Sequence, residues 1–200
     1  MKSSICEMLG IDFPLVAFTH CRDVVVEVSK AGGMGVLGAA GLTPDQLEVE
    51  LGWIDDHIEG KPYGVDLIVP TSFESKGDNV ESRELVARVP EGHKAFVRHL
   101  MAEYGIDTSD MTDGRLASGT RLGDNMRDIG ANALLDVAFS HPIRLIANAL
   151  GTPPKYMLDR GKAAGVAVAA LVGAREHAVK QVEAGVDILV VAGAEAGGHC

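Results

Sequence analysis

The sequence contains few aromatic residues, few basic residues and little cysteine. Only 4% of its 200 residues are aromatic while 46% are hydrophobic, so the apolar content comes mainly from small aliphatic side chains. Such a composition, with 24 glycines, is typical of a folded α/β domain and excludes a disordered chain. A chain of 200 residues is also long enough to bury one substantial hydrophobic core.

The balance of charge excludes two classes of partner. The chain has 18 Lys and Arg residues against 28 Asp and Glu residues, which gives a formal net charge of −10. A surface that binds nucleic acid needs clustered Lys and Arg, and the sequence shows no such cluster. No run of roughly 18 apolar residues is present to span a bilayer. We therefore expect neither a nucleic-acid partner nor a membrane partner.

The cysteines give no sign of a disulfide framework or of a metal site. Cys6, Cys21 and Cys200 are odd in number, far apart in the sequence and not spaced as metal ligands. Reduced thiols are the expected state for such a set, which favours a cytoplasmic protein without a bound metal.

A weak internal repeat indicates how the chain is organised. Each of three segments has a helix end, a glycine, a short Val-rich run and then small residues. Glycine commonly ends a helix in the left-handed conformation, and a short apolar run after it is typical of a buried parallel strand. The three segments are "SKAGGMGVLGAA" (29–40), "GKAAGVAVAALVGA" (161–174) and "VEAGVDILVVAGAEAGG" (182–198).

Strands and helices alternate along the chain, which predicts a parallel sheet with helices outside it. Between the strands, Thr43-Pro44 is a typical helix start, with Pro at the first helical position. The strand candidates are Leu15 to Phe18, Gly35 to Ala39, Gly64 to Val69, Arg144 to Ala149, Ala167 to Val172 and Ile188 to Ala192.

Residues 71–132 interrupt this alternation. The segment includes a helix candidate around Lys94 to Tyr104, and its other parts lack sustained periodicity. It exceeds the length of an ordinary crossover, so we interpret it as an insertion over one end of the sheet. Both a solvated loop and a substrate lid are compatible with its sequence.

Residues 33–38, "GMGVLG", match the spacing G-x-G-x-x-G found in dinucleotide-binding loops. That fingerprint requires a strand before the glycines and a helix that starts within them. Here a helix is expected before the motif and a strand inside it. We therefore interpret these glycines as packing residues.

The last ten residues, "VAGAEAGGHC", place His199 after a glycine-rich loop and a predicted strand. Ligands of parallel α/β proteins bind at the carboxyl ends of strands, and small residues leave room for a flat group. A histidine with an ordinary pKa near ~6.5 is suited to proton transfer near neutral pH. A surface histidine in a glycine loop is the alternative that these residues leave open.

Several segments together resemble the nitronate monooxygenase family, formerly called 2-nitropropane dioxygenases, which are FMN-dependent (β/α)8 barrels. The carboxyl-terminal segments are "GAEAGGH" (193–199) and the preceding "AREHAVKQVEAGVDILV" (174–190). The amino-terminal segments "LGIDFPLVAF" (9–18), "VSKAGGMGVLGAAGLTPDQLEVEL" (28–51) and "KPYGVDLIVP" (61–70) follow in the family's order. The fold class that this implies is α/β of the TIM-barrel type, with about six of the eight βα units in this chain.

The resemblance implies a chemistry and a set of site residues. FMN is the expected cofactor, and nitronates or nitroalkanes are oxidised with dioxygen to a carbonyl compound and nitrite. His199 corresponds to the catalytic base and Asp66 to an asparagine that touches the cofactor. His20, which follows the first strand, is a candidate substrate contact. The other cofactor-binding positions are Ala17, Phe18, Thr19, Gly193, Gly197 and Gly198.

The chain departs from the family pattern at several of these positions. Ala192 replaces a glutamine that faces the flavin, and Ala17-Phe18-Thr19 replaces a segment Ala-Pro-Met. The carboxylate of Asp66 would disfavour a reduced, anionic flavin unless it is protonated or paired. These differences indicate a divergent subgroup.

Length is the largest departure, because a complete barrel has eight strands and typically ~250 residues. We expect this chain to be the amino-terminal portion of a longer protein. The seventh and eighth strands, whose loops hold the FMN phosphate, would follow Cys200. Without them we expect FMN to bind poorly.

Three alternative functions stay open at this point. Flavin-dependent enoyl-acyl-carrier-protein reductases have the same fold and a similar Gly-Gly-His loop, and NAD(P)H-dependent quinone reductases have the same fold. A non-catalytic half barrel is an alternative of another class. The sequence does not determine the oligomeric state, and a homodimer is one assembly that is compatible with it.

Overall fold

The computed structural model describes residues 3–70, 87–107, 128–193 and 195–196. Two compact units make up the chain, one from residues 1–71 and 125–200 and the other from residues 72–124. The first unit contains α1 (Ser4–Leu9), β1 (Val16–Thr19), α2 (Arg22–Lys30), β2 (Met34–Gly38), α3 (Pro44–His57), β3 (Tyr63–Leu67), α5 (Asp128–Ser140), β4 (Leu145–Asn148), α6 (Lys155–Ala164), β5 (Ala167–Val172), α7 (Arg175–Ala184) and β6 (Ile188–Val191). The second unit contains α4 (Glu91–Glu103).

The strands of the first unit form one parallel sheet. Their order in space, β1-β2-β3-β4-β5-β6, is their order in the sequence, and every neighbouring pair is parallel. This is the arrangement of a βα barrel, and the sheet curls into a half-barrel. The predicted fold class is therefore confirmed, with six strands of the TIM-barrel type. The strands predicted from the sequence differ from the observed strands by no more than two residues at either end.

The outer face of the sheet is covered by helices. Helix α3 begins with a capping box, since Thr43 Oγ1 accepts a hydrogen bond from the Gln46 backbone N–H at 3.2 Å and the Gln46 side chain accepts from Thr43 N at 3.0 Å. The predicted helix start at Thr43-Pro44 is thus confirmed. The outer core combines side chains of strands and helices, among them Leu37, Val65, Ile146, Leu47, Leu51, Ile54, Leu134 and Leu135.

The glycine motif at 33–38 serves packing, as its sequence context predicts. Strand β2 occupies Met34–Gly38, so the motif contains a strand and no helix start. At Gly35 a Cβ atom would lie 2.4 Å from both the Cα and the carbonyl oxygen of Val25, because α2 crosses the strand there. The Gly35 backbone N–H also donates to Ser29 Oγ at 3.0 Å, which satisfies a buried hydroxyl.

The inner face of the sheet forms the lumen of the half-barrel. Its amino-terminal part is filled by apolar side chains of α1 and of the turn after it, which pack against the inward-facing residues of β2, β4 and β5. These buried side chains are Cys6, Leu9, Ile11, Met34, Val36, Leu145, Ala147 and Ala169. No helix in the described ranges is long and apolar enough to cross a membrane.

Candidate functional site

The site residues that the sequence predicts and the structure describes lie at the carboxyl ends of three strands. Ala17, Phe18 and Thr19 are the last three residues of β1, and Asp66 is the last but one of β3. Gly193 follows β6 by two residues and is exposed. Ligands of parallel barrels bind at this end of the sheet.

The other predicted residues, His199, Gly197 and Gly198, lie outside the described part of the chain. Their assignment as the catalytic base and as cofactor contacts therefore stays a prediction.

Of the three predicted site residues on β1, only Phe18 has its side chain in the lumen. Side chains alternate between the two faces of a strand, and Phe18 lines the same cavity as Asp66. Ala17 and Thr19 lie on the opposite face, in register with Gly35 and Leu37 of β2. Only the backbone of Ala17 and Thr19 is therefore available to a ligand in the lumen.

A cavity of about 210 Å³ lies inside the half-barrel. Among its described lining residues, Asp66 is the only one with a polar side chain. The apolar lining comes from α1 and from five of the six strands, including β1 and β6 at the two edges of the sheet. Its residues are Ile5, Leu9, Val16, Phe18, Val36, Leu145, Ala147, Ala169, Leu171, Ile188 and Val190.

Asp66 is half-buried, and its Oδ1 atom is fully buried without a hydrogen-bond partner among the described residues. Its neighbours across the sheet are Gly38 on β2 and Ala147 on β4. Neither neighbour has a side chain that could donate a hydrogen bond to the carboxyl group. Burial raises the pKa of Asp66 from 3.8 to about 7, and the charge of His20 opposes this rise. Near neutral pH the carboxyl group is therefore divided between its acid and carboxylate forms.

His20 is held over the end of β2. Its Nδ1 atom lies 2.9 Å from the carbonyl oxygen of Gly38, which can only accept a hydrogen bond. Nδ1 therefore carries the proton, and in the neutral ring Nε2 is left as an acceptor. The ring meets Phe18 edge to face, with centroids 5.0 Å apart.

Gly38 is a site residue that the sequence-based reasoning assigned to packing alone. A Cβ atom at this position would lie 2.5 Å from Cζ of Phe18 and 2.7 Å from Cε1 of His20. The missing side chain thus makes the space in which both rings lie. A glycine at the carboxyl end of a predicted strand, in register with a buried acid, was the signal available.

Asn148 is a second residue that the sequence-based reasoning did not single out. It ends β4 and is fully buried. Its Oδ1 accepts from the Val69 backbone N–H at 2.8 Å, and its Nδ2 donates to the carbonyl oxygens of Val69, Leu150 and Gly151 at 3.2, 3.0 and 3.3 Å. Asn148 therefore fixes the loops that follow β3 and β4, beside Asp66. A lone asparagine at the end of an apolar strand was its only signal in the sequence.

A second polar cluster lies at the opposite, amino-terminal end of the sheet. Asp55 accepts a hydrogen bond from the hydroxyl of Tyr63 at 2.6 Å, and its other oxygen lies 2.6 Å from Nδ1 of His141. His141 thus lies at the end of the sheet opposite the predicted site residues. No group of three or more potential ligands within the described ranges is arranged to hold a metal ion.

Comparisons with known proteins were made for the whole chain. A family model described as nitronate monooxygenase matches residues 2–200. A protein of Mycobacterium tuberculosis, described as a candidate monooxygenase, is 48% identical over 203 residues, which cover 100% of this chain and 52% of that protein. A candidate nitronate monooxygenase of Staphylococcus aureus is 23% identical, covering 99% of this chain and 50% of its own length.

Two solved structures share the fold. The nitroalkane oxidase from Streptomyces ansochromogenes superimposes with a TM-score of 0.68 at 24% identity, over 99% of this chain and 50% of the oxidase. A FabK variant from Thermotoga maritima gives a TM-score of 0.65 at 18% identity, over 100% of this chain and 48% of that chain. The chain spans about half the length of the curated relatives it matches. Because the family model extends over nearly all of its residues, the chain belongs to the nitronate monooxygenase family.

Proposed function

We propose that this chain forms the ligand-binding lumen of an FMN-dependent oxidoreductase that oxidises nitronates or nitroalkanes with dioxygen, yielding a carbonyl compound and nitrite. One observation supports this above the others. In a chain of the nitronate monooxygenase family, an apolar lumen presents one unpartnered polar atom, Asp66 Oδ1, at the carboxyl end of the sheet.

The residues present fit a flavin. An isoalloxazine ring is flat, with apolar faces and polar edges, and it needs apolar walls together with a few polar contacts. The lumen supplies those walls, and the buried Oδ1 of Asp66 needs a partner that the described residues do not provide. Phe18, Asp66 and Gly193 would hold the ring, with backbone atoms of Ala17 and Thr19 near its edge. When bound, the flavin supplies the two-electron redox chemistry.

The proposed proton chemistry rests on two histidines. His199 is proposed as the base that removes the α-proton of a nitroalkane, as the family resemblance implies. His20 is proposed as a substrate contact, because its Nδ1 is engaged by Gly38 and its Nε2 stays available as an acceptor.

The proposal extends to the organisation of the chain. Residues 1–200 form a partial flavin-binding domain of the TIM-barrel type with an insertion at about 71–132, and a homodimer is the proposed assembly. A cytoplasmic location is part of the proposal, because Cys6 and Cys21 form no disulfide in the described part of the chain.

The test is reconstitution of the purified chain with FMN, followed by two separate assays. Under air, a nitronate should yield nitrite and carbonyl compound in equal amounts. Without oxygen, the nitronate should bleach the bound flavin. With the neutral nitroalkane in place of the nitronate, His199→Ala should abolish both reactions and leave FMN bound, because the α-proton then has no base to remove it. A chain that stays colourless with excess FMN contradicts the proposal, and bleaching by NADH or NADPH alone would assign the chain to the reductases of this fold.

A further inference from the structure

The inference concerns Asp66 and rests on the function proposed above. Its Oδ1 atom is buried in the lumen, yet no donor of the described chain reaches it. A buried oxygen of this kind calls for a hydrogen-bond partner from a ligand. The nearest strand positions cannot provide one, because Gly38 has no side chain and Ala147 has only a methyl group.

The surroundings of Asp66 favour an uncharged carboxyl group. In the described ranges, neither β2 nor β4 carries a titratable side chain, and α1 contributes the apolar Ile5 and Leu9 to the cavity. On β3 itself the other titratable residue is Tyr63, at the far end of the strand. Among the described residues, His20 in the loop after β1 is the group whose charge opposes the rise in the pKa of Asp66. A single exposed imidazole is a weak counterion for a carboxylate in an apolar lumen.

We propose that Asp66 binds the flavin as a carboxylic acid, donating a hydrogen bond from Oδ1 to an acceptor atom on the edge of the ring. A protonated carboxyl group has one O–H donor, whereas a carboxylate can only accept. Loss of the proton therefore removes the donor and places a negative charge against an electron-rich ring edge. The affinity for flavin then depends on pH through this one residue.

The size of the effect follows from proton linkage. If the acid form alone binds, the dissociation constant rises with the fraction of ionised Asp66, whose pKa lies at about 7. We expect affinity to fall about tenfold between about pH 6 and about pH 8. The Asp66→Asn variant keeps a donor at every pH, so its affinity should stay constant and match that of the wild type at about pH 6.

The experiment is a fluorescence titration of the full chain with FMN across this pH range. Riboflavin serves as a parallel probe because it lacks the phosphate, which itself titrates near about pH 6. The matched control is Asp23→Asn, which changes an exposed carboxylate at the carboxyl end of β1. This variant should keep the wild-type pH dependence. An infrared difference spectrum adds a readout that needs no ligand. The carbonyl band of a protonated carboxyl group should be present in the wild type and absent in Asp66→Asn.

The outcomes separate this inference from the function on which it rests. FMN binding that does not change with pH, or pH dependence retained in Asp66→Asn, overturns the role of Asp66 and leaves the proposed function standing. Absence of the infrared band at about pH 6 also overturns the role of Asp66 and leaves the proposed function standing. Failure of the wild type and the variants to bind FMN or riboflavin at every pH overturns both.

Discussion

The Nδ1 atom of His20 and the carbonyl oxygen of Gly38 lie 2.9 Å apart, so the loop after β1 is joined to the end of β2. This hydrogen bond fixes the tautomer of the imidazole and its position beside Phe18. Gly38 is in turn the register partner of Asp66 on β3. The three strands β1, β2 and β3 thus bring an aromatic ring, an imidazole and a buried acid to one side of the lumen.

Gly38→Ala tests whether this arrangement serves ligand binding. The added methyl group would overlap the rings of Phe18 and His20, so both must rotate and the hydrogen bond to the carbonyl oxygen is lost. Since Phe18 is 57% exposed, the rings can move outward at a stability cost of only about 1 kcal/mol. We expect FMN affinity to fall about tenfold, which corresponds to about 1.4 kcal/mol.

The matched control for this prediction is Gly41→Ala, a position where an added Cβ meets no atom within 4 Å. Fluorescence titration with FMN measures affinity, and urea denaturation measures the free energy of unfolding. Wild-type affinity in Gly38→Ala would show that the ring positions do not matter for binding.

Asp66→Asn should also change how stability depends on pH. Burial raises the pKa of Asp66 from 3.8 to about 7, so the native state binds the proton more tightly than the unfolded chain does. The resulting stabilisation is complete below about pH 4 and is lost as the pH rises through about 7, by at most about 1.4 kcal/mol per pH unit. The asparagine variant lacks this loss. Its advantage over the wild type should therefore grow between about pH 4 and about pH 7 and then stay constant.

Urea denaturation of both proteins at several pH values measures this difference directly. The comparison cancels the other titrating groups, which the two proteins share. A constant difference across the whole range would contradict the raised pKa of Asp66.

Much of the fold was predictable because parallel strands buried on both faces appear as short apolar runs. Strand β5 was predicted with its observed bounds, Ala167 to Val172, since glycine ends the helix before it and glycine follows it. Strand β1 was predicted one residue early. Leu15, just before the strand, and Val16, its first residue, are both apolar and exposed, so the sequence does not show where the strand begins.

The site was less predictable, because its contacts join residues that are far apart in the sequence. Asn148 binds the backbone of Val69, 79 positions away, and no local pattern indicates such a partner. His20 and Gly38 are 18 residues apart. The sequence indicated that the site lies at the carboxyl ends of the strands. It did not indicate that the side chains of Ala17 and Thr19 turn away from the lumen, because this depends on the register with β2.

Gly35→Ala should destabilise the fold by about 3 kcal/mol. The new methyl group would lie 2.4 Å from backbone atoms of Val25, and neither α2 nor β2 can move without disturbing the core. Gly52→Ala in α3 is the control, since no atom lies within 4 Å of its Cβ. That helical substitution should stabilise the protein by about 0.5 to 1 kcal/mol. Urea denaturation of both variants gives the comparison, and equal unfolding free energies would refute the close contact at Gly35.

Tyr63→Phe should reduce stability without affecting the ligand site. The ring of Tyr63 is fully buried, and its hydroxyl donates to Asp55 at 2.6 Å. Burial and the neighbouring Asp55 raise the pKa of the phenol above its ordinary value, so the hydroxyl keeps its proton. Removing this donor leaves one oxygen of Asp55 without its hydrogen-bond partner, which should lower the free energy of unfolding by about 1 to 3 kcal/mol.

A double-mutant cycle with Asp55→Ala and Tyr63→Phe isolates the hydrogen bond from other effects of each change. The destabilisations of the two single variants should add up to about 1 kcal/mol more than that of the double variant, because the two groups contact each other directly. FMN affinity should be unchanged in Tyr63→Phe, since Tyr63 begins β3 whereas Asp66 lies near its carboxyl end. If Tyr63→Phe lost FMN affinity while its free energy of unfolding stayed unchanged, the cluster of Tyr63 and Asp55 would contribute to ligand binding. That result would contradict its purely structural role.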